Sequence, residues 1–224
     1  MPDLAVRLNG GAVPELVWRN ELDGLTFRVR DGYLKWCPAS AGIDLHREVE
    51  RLAWLGGRHP VPRVLDSGSS TDASWLLTAP LPGISAVDPV WTARPAQAVR
   101  AIAAGLRALH ALPVGAVPHR LRGDSWFDRR PDALGAAPAV TSPVVVHGDA
   151  CAPNTLIGPD GRWRGTVDVG DLGVGDRWAD LAVAAMSLTW NYGEGFEPLL
   201  LAEYGVEADE QRAAYYRALW HLES

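Results

Sequence analysis

Two hydrophobic periods divide the chain. Between Val17 and Trp36 apolar and polar positions alternate, with Val17, Leu25, Phe27 and Val29 as the apolar set. Asn20-Glu21-Leu22-Asp23-Gly24 and Asp31-Gly32 interrupt the alternation with turn-forming residues, which predicts a hairpin followed by a third strand from Tyr33-Leu34-Lys35-Trp36. The period then changes: Leu45, Val49, Leu52 and Leu55 recur at helical spacing, and Gly56-Gly57 stops the helix. After the stiff connector His59-Pro60-Val61-Pro62, strands are predicted around Val64-Leu65 and over Trp75-Thr78. Pro80-Leu81-Pro82-Gly83 then reads as a hinge.

Beyond that point helices dominate. Val99, Ile102, Leu106 and Leu109 line one face of a long helix from Pro95 to Leu112. Residues 113–142 are rich in Pro, Gly and Arg and predict a long loop with one short helix. Val144-Val145-Val146 is a short buried strand. A hairpin follows from Thr155-Leu156-Ile157 to Trp163-Val167 around Pro159-Asp160-Gly161, and three helices are expected over 177–191, 194–204 and 207–222. The class is α+β: a sheet-rich part (1–79), a hinge (80–83) and a mainly helical part (84–224).

Composition narrows the function. A net charge of −6 argues against nucleic acid as a partner, because phosphate backbones need basic stripes. Cys37 and Cys151 form no CxxC pair, so neither a disulfide framework nor a cysteine zinc site is expected. The stretch up to Gly11 has no apolar leader and no run of about 18 apolar residues occurs, so a cytoplasmic protein without a membrane span is expected. Of 21 basic residues, 20 are arginine and one, Lys35, is lysine. A coding bias toward arginine would make it an accident; a site that needs a compact ammonium would make it a requirement.

The chemistry concentrates in His147-Gly148-Asp149-Ala150-Cys151-Ala152-Pro153-Asn154 and Val167-Asp168-Val169-Gly170. A carboxylate, an asparagine five residues on, and Asp-x-Gly after the next hairpin is the layout of a kinase catalytic loop. Phosphoryl transfer asks the protein for position and charge neutralisation rather than covalent help. Asp149 would orient the acceptor hydroxyl and take its proton, while Asn154 and Asp168 supply the hard oxygens that suit magnesium. His147 is expected to brace the loop, Asp180 to support it from behind, and Cys151 to be small filler. Glu48 shares the apolar face of its helix with Leu45 and Leu52, so it needs a cation, and Lys35 is the candidate. That pair would hold the lysine against nucleotide phosphates.

On these motifs the chain resembles the aminoglycoside phosphotransferase family, most closely the 3'-phosphotransferases. Further stretches carry the likeness: Glu48-Val-Glu-Arg-Leu-Ala-Trp-Leu55, Trp75-Leu-Leu with Pro82-Gly83, Gly173-Val-Gly-Asp-Arg-Trp-Ala-Asp180 and Tyr215-Tyr-Arg-Ala-Leu219. The resemblance implies a two-lobed, protein-kinase-like fold with a small antiparallel sheet in the first lobe. It also implies ATP (or GTP) and Mg2+ as cofactors, an aminoglycoside-type antibiotic as small-molecule substrate, and a monomer or weak dimer. By it, Lys35, Glu48, Asp149, Asn154 and Asp168 carry the roles already given, with Gly24 and Thr26 near the nucleotide.

Three departures accompany the likeness. The nucleotide-covering turn, residues 20–26, holds one glycine, so only the amides near Gly24 are expected to reach a phosphate. The insertion between the long helix and the catalytic strand is short, closing with Arg122-Gly123-Asp124-Ser125-Trp126 and Arg129-Arg130. The acidic contacts to a cationic drug are thinned: Glu194, Glu197 and Glu223 remain, and Trp190, Tyr192 and Trp220 either line an aromatic pocket or pack in the core. The competing readings are a kinase for another hydroxylated small molecule (a peptide or macrolide antibiotic, or a metabolite), a non-catalytic nucleotide-binding protein, and a metal hydrolase. The last is weakened because His59, His110, His119 and His221 sit in unrelated contexts.

Overall fold

The computed structural model describes residues 2–123 and 125–223, so Asp124 of the insertion lies outside the described residues. The chain forms two compact units, Met1–Gly56 with Val61–Leu81, and Gly57–Pro60 with Pro82–Ser224.

The first unit is built on an antiparallel sheet of order β1-β2-β3-β5-β4: β1 (Glu15–Arg19), β2 (Leu25–Val29), β3 (Gly32–Pro38), β4 (Val64–Ser69) and β5 (Ala73–Thr78). Register follows from the alternation. Phe27 lies opposite Leu34, and Leu34 opposite Leu77, and these residues share one cluster with Leu4, Ala5 and Leu8 of helix α1 (Asp3–Leu8). The other row runs Trp18, Thr26, Lys35, Leu76. Helix α2 (Leu45–Leu55) starts at Asp44, whose carboxylate accepts the His46 amide at 2.9 Å. It buries Leu45, Glu48, Leu52 and Leu55.

The second unit opens with the two-residue strand β6 (Ile84–Ser85), the single turn α3 (Pro89–Thr92) and the long helix α4 (Pro95–His110). Gly83 leads into β6 at φ +113°, where a Cβ would lie 2.8 Å from the Ile157 carbonyl oxygen, so only glycine fits. β6 pairs with β8 (Thr155–Ile157), which pairs with β9 (Trp163–Thr166); β7 (Val144–Val146) pairs with β10 (Gly173–Gly175). Three helices complete the unit: α5 (Arg177–Tyr192), α6 (Glu197–Tyr204) and α7 (Glu210–Glu223). Burial along α5 is continuous from Trp178 to Ala185, which is why it shows no polar stripe. At about 1.5–3 kcal/mol for each large apolar side chain buried, α4 and α5 form the core on which the loops rest.

Residues 113–142 differ from expectation. They hold no α-helix among the described residues but four single 3₁₀ turns, at Val114–Ala116, His119–Leu121, Trp126–Asp128 and Asp132–Leu134. Pro118 follows the first of these turns and holds Val117 extended, at φ −70° and ψ 123°, so that turn cannot lengthen into a helix.

Candidate active site

Each end of the Gly148–Asp149 peptide is held. The carbonyl of Gly148 accepts the Trp126 indole N–H at 2.6 Å, and the amide of Asp149 donates to His147 Nδ1 at 3.1 Å. Gly148 sits at φ +85°, and a Cβ there would come within 2.4 Å of the Asp171 carbonyl oxygen. The preceding amides are held from below: Asp180, fully buried, accepts His147 N–H at 2.7 Å on one oxygen and Gly148 N–H at 3.0 Å on the other. His110 Nε2 lies 2.8 Å from the same carboxylate, and its Nδ1 lies 2.7 Å from the Tyr204 hydroxyl. Further along, Ala152 N–H donates to Ser187 Oγ at 2.9 Å, and Ser85 Oγ donates to the Pro153 carbonyl at 2.9 Å.

This bracing presents Asp149 and Asn154 to each other. Asn154 Nδ2 donates to the Asp149 main-chain carbonyl at 3.0 Å and to Oδ2 at 2.9 Å. With its NH₂ so occupied, the amide oxygen is left as a hard acceptor. Asp149 Oδ1 is enclosed and accepts no hydrogen bond among the described residues. A buried carboxylate oxygen without a donor is costly unless something supplies a proton or a positive charge.

Asp168 is tied to the same loop. Val167 N–H donates to the Asn154 carbonyl at 3.0 Å, and His147 Nε2 donates to the Val167 carbonyl at 3.0 Å. Asp168 itself lies in the left-handed region at φ +59°, a conformation that costs a non-glycine residue about 1 kcal/mol or more and persists where its surroundings impose it. His147 therefore spans the backbone of both acidic residues through its two ring nitrogens. Burial, with the nearby Asp149 charge, pushes the Cys151 thiol far up, so it is protonated at neutral pH and not a nucleophile.

In the first unit, Lys35 Nζ lies 2.8 Å and 3.0 Å from the two oxygens of Glu48, which is 5% exposed. Thr26 stands directly across the sheet from Lys35.

The family model described as the phosphotransferase enzyme family matches residues 5–140 and 125–217. The chain belongs to that family. An aminoglycoside 3'-phosphotransferase of Streptomyces fradiae is 34% identical over 81% of this chain and 81% of its own. A streptomycin 3''-kinase of Streptomyces griseus is 32% identical over 92% of this chain and 94% of its own. An aminoglycoside phosphotransferase from Streptomyces rimosus superposes with a TM-score of 0.76 at 28% identity, covering 100% of this chain and 99% of that one. That enzyme has also been solved in complex with ADP and streptomycin, with a TM-score of 0.71 to this chain. The α+β, two-lobed kinase-like class expected for the family is the fold found.

The surroundings of the remaining candidate residues are as follows. The Gly24 amide donates to Asn20 Oδ1 at 2.6 Å, as does that of Leu22 at 3.0 Å. Trp190, for which packing in the core was the alternative to lining a pocket, is 57% exposed at the end of α5. Glu197 is bonded to Arg217 at 2.5 Å and Glu223 to Arg129 at 2.7 Å, while Glu194 is exposed. Of the histidines set aside as unrelated, His110 supports the loop through Asp180 and His59 bonds to Thr166 of β9, although no cluster of three metal-binding His, Cys, Asp or Glu side chains occurs among the described residues. A signal for His110 was present: it follows Leu106 by four positions on the buried face of α4, and a buried polar group there needs a partner.

His59 makes the second unit sensitive to acid. Its Nε2 lies 3.1 Å from Thr166 Oγ1 and its ring tilts against Trp163 at 5.0 Å. Burial, then the imidazoles of His147 and His110, lower its pKa from 6.5 to about 4. The unfolded chain takes up a proton near 6.5 that the folded chain refuses until about 4. Stability is therefore unaffected by this group above 6.5, falls as pH drops through that window, and has lost on the order of 3 kcal/mol below it. Melting temperature followed from pH 7 to 4 should fall more steeply for the wild type than for His59→Asn; parallel curves would remove His59 as the cause.

Proposed function

We propose that the chain transfers the γ-phosphate of ATP, or GTP, to a hydroxyl of an aminoglycoside-type antibiotic and so inactivates it in the cytoplasm. The observation that carries this reading is Asp149: a carboxylate with one oxygen bonded by Asn154 and the other enclosed without a donor among the described residues, on a loop whose His147, Gly148, Asp149 and Ala152 amides are all held. In the reaction the acceptor oxygen forms its bond to the γ-phosphorus as the bond to the β,γ-bridging oxygen breaks. The nucleoside diphosphate leaves, and the acceptor proton passes to the Asp149 carboxylate.

The Asn154 amide oxygen and the Asp168 carboxylate form a hard-oxygen donor set that suits Mg2+, which would neutralise phosphate charge when bound. Lys35, held by Glu48, supplies a point charge for the α- and β-phosphates, with Gly24 and Thr26 near them. We assign residues 1–79 to the nucleotide, 80–83 to the connection between lobes, and 84–224 to catalysis and the acceptor. No helix among the described residues is long and apolar enough to cross a membrane.

A second reading rests on the acceptor side. Two of the three glutamates available for a polycationic drug, Glu197 and Glu223, are paired with arginines, and the exposed Trp190 adds an apolar surface. That arrangement favours a less cationic hydroxylated molecule. An ADP-release assay with Mg-ATP against kanamycin, neomycin, streptomycin, a macrolide and a cyclic peptide antibiotic separates the two. ADP formation dependent on an aminoglycoside is the expected result. Turnover only with a macrolide or peptide would overturn the acceptor class while keeping the reaction.

A further inference from the structure

We propose that Trp126 is a positioning residue for Asp149, and that through it the insertion and the C-terminal helix α7 set the orientation of the catalytic carboxylate. The proposal rests on the phosphotransfer reading above. Of the Gly148–Asp149 peptide's two polar groups, the N–H is held from within the loop by His147 and the carbonyl by Trp126, 22 residues upstream. Rotation of that peptide swings the Asp149 side chain, and a catalytic group displaced by about 1 Å can lose on the order of 10²-fold in rate. Holding the carbonyl fixes the rotation.

The turn that carries Trp126 is itself held on several sides. Ser125 and Asp128 form a reciprocal capping box around it, and Ser125 Oγ donates to the Asp171 carbonyl at 3.1 Å, three residues past Asp168. Phe127 lies against Gly173 and Gly175 of β10, where a Cβ on either glycine would come within 3.0 Å of its ring. The Trp126 ring, 9% exposed, meets Phe127 edge-on at 5.6 Å and Trp220 of α7 edge-on at 5.1 Å. Arg129, at the end of the same turn, pairs with Glu223 at the end of α7. A shift of α7 against this turn is thus transmitted to the Trp126 hydrogen bond on the Gly148 carbonyl.

Trp126→Phe and Trp91→Phe make the test. Each replaces a buried indole of the same core by a phenyl ring, but only Trp126→Phe removes the donor to Gly148, the Trp91 indole N–H having no hydrogen-bond partner among the described residues. Trp126→Phe is expected to lower kcat about 10-fold or more with unchanged KM for ATP, and Trp91→Phe to leave kcat within about 2-fold. Equal losses in both variants, or a loss confined to KM, would overturn the proposal. If Trp126→Phe does not melt cooperatively, Ser125→Ala, which unpins the turn, replaces it with the same expectation and the same overturning result. Basal hydrolysis of Mg-ATP, with water as acceptor, is measured alongside. It reads the Trp126 effect even when no antibiotic on the panel is phosphorylated, so failure of the acceptor reading and failure of this one give different outcomes.

Discussion

Asp149→Asn is expected to fold, to bind nucleotide as the wild type does, and to transfer phosphate at least about 10²-fold more slowly. The substitution is nearly isosteric, and the main-chain carbonyl of residue 149 still accepts from Asn154, so the loop keeps its shape. What disappears is the basic oxygen that would receive the acceptor proton, and with it the negative charge held beside Asn154. Single-turnover kinetics at saturating ATP isolate the chemical step from product release. Wild-type rates in that experiment would remove Asp149 as the base and with it the mechanism proposed here.

Asp180→Ala is expected to be the most destabilising single change in the second unit, by about 3–5 kcal/mol. Its carboxylate is fully buried and receives the amides of His147 and Gly148 and the His110 ring. Truncation leaves three buried groups without their acceptor and opens a void beneath the loop. A chain of this size should lose on the order of 10 °C in melting temperature. Asp180→Asn keeps the shape and one acceptor oxygen, so it should lose less stability yet still impair turnover. A melting temperature for Asp180→Ala within about 2 °C of the wild type would show that the loop does not depend on this support.

What the sequence disclosed and what it withheld divide along chain separation. The β2–β3 hairpin, α2, α4 and the β8–β9 hairpin rest on neighbours a few residues away, and their periods could be counted directly. The Lys35–Glu48 pair was legible for the same reason: helical spacing placed Glu48 among leucines, where a lone carboxylate is untenable. Helix α1 is too short for a period, and β10 is two glycines around a valine, so neither announced itself. The supports of the catalytic loop depend on contacts that no local pattern encodes. His110 meets Asp180 across 70 residues and Tyr204 across 94. Trp126 lies in a proline-broken segment whose composition suggested a long loop with one short helix and no partner for its indole. Trp190 had two readings, pocket wall or core, and no local pattern could choose between them; it is exposed in the last turn of α5.

Lys35 also has a practical side. Since the other 20 basic side chains are guanidinium groups, an amine-directed reagent finds one side-chain target in the whole chain, besides the amino terminus. That target is part-buried and hydrogen-bonded to Glu48, on the row of the sheet shared with Thr26. Covalent labelling of this protein is therefore a single-side-chain readout: the yield of the Lys35 adduct, followed by peptide mass so that the amino terminus is counted apart, tracks how the only ammonium side chain is shielded.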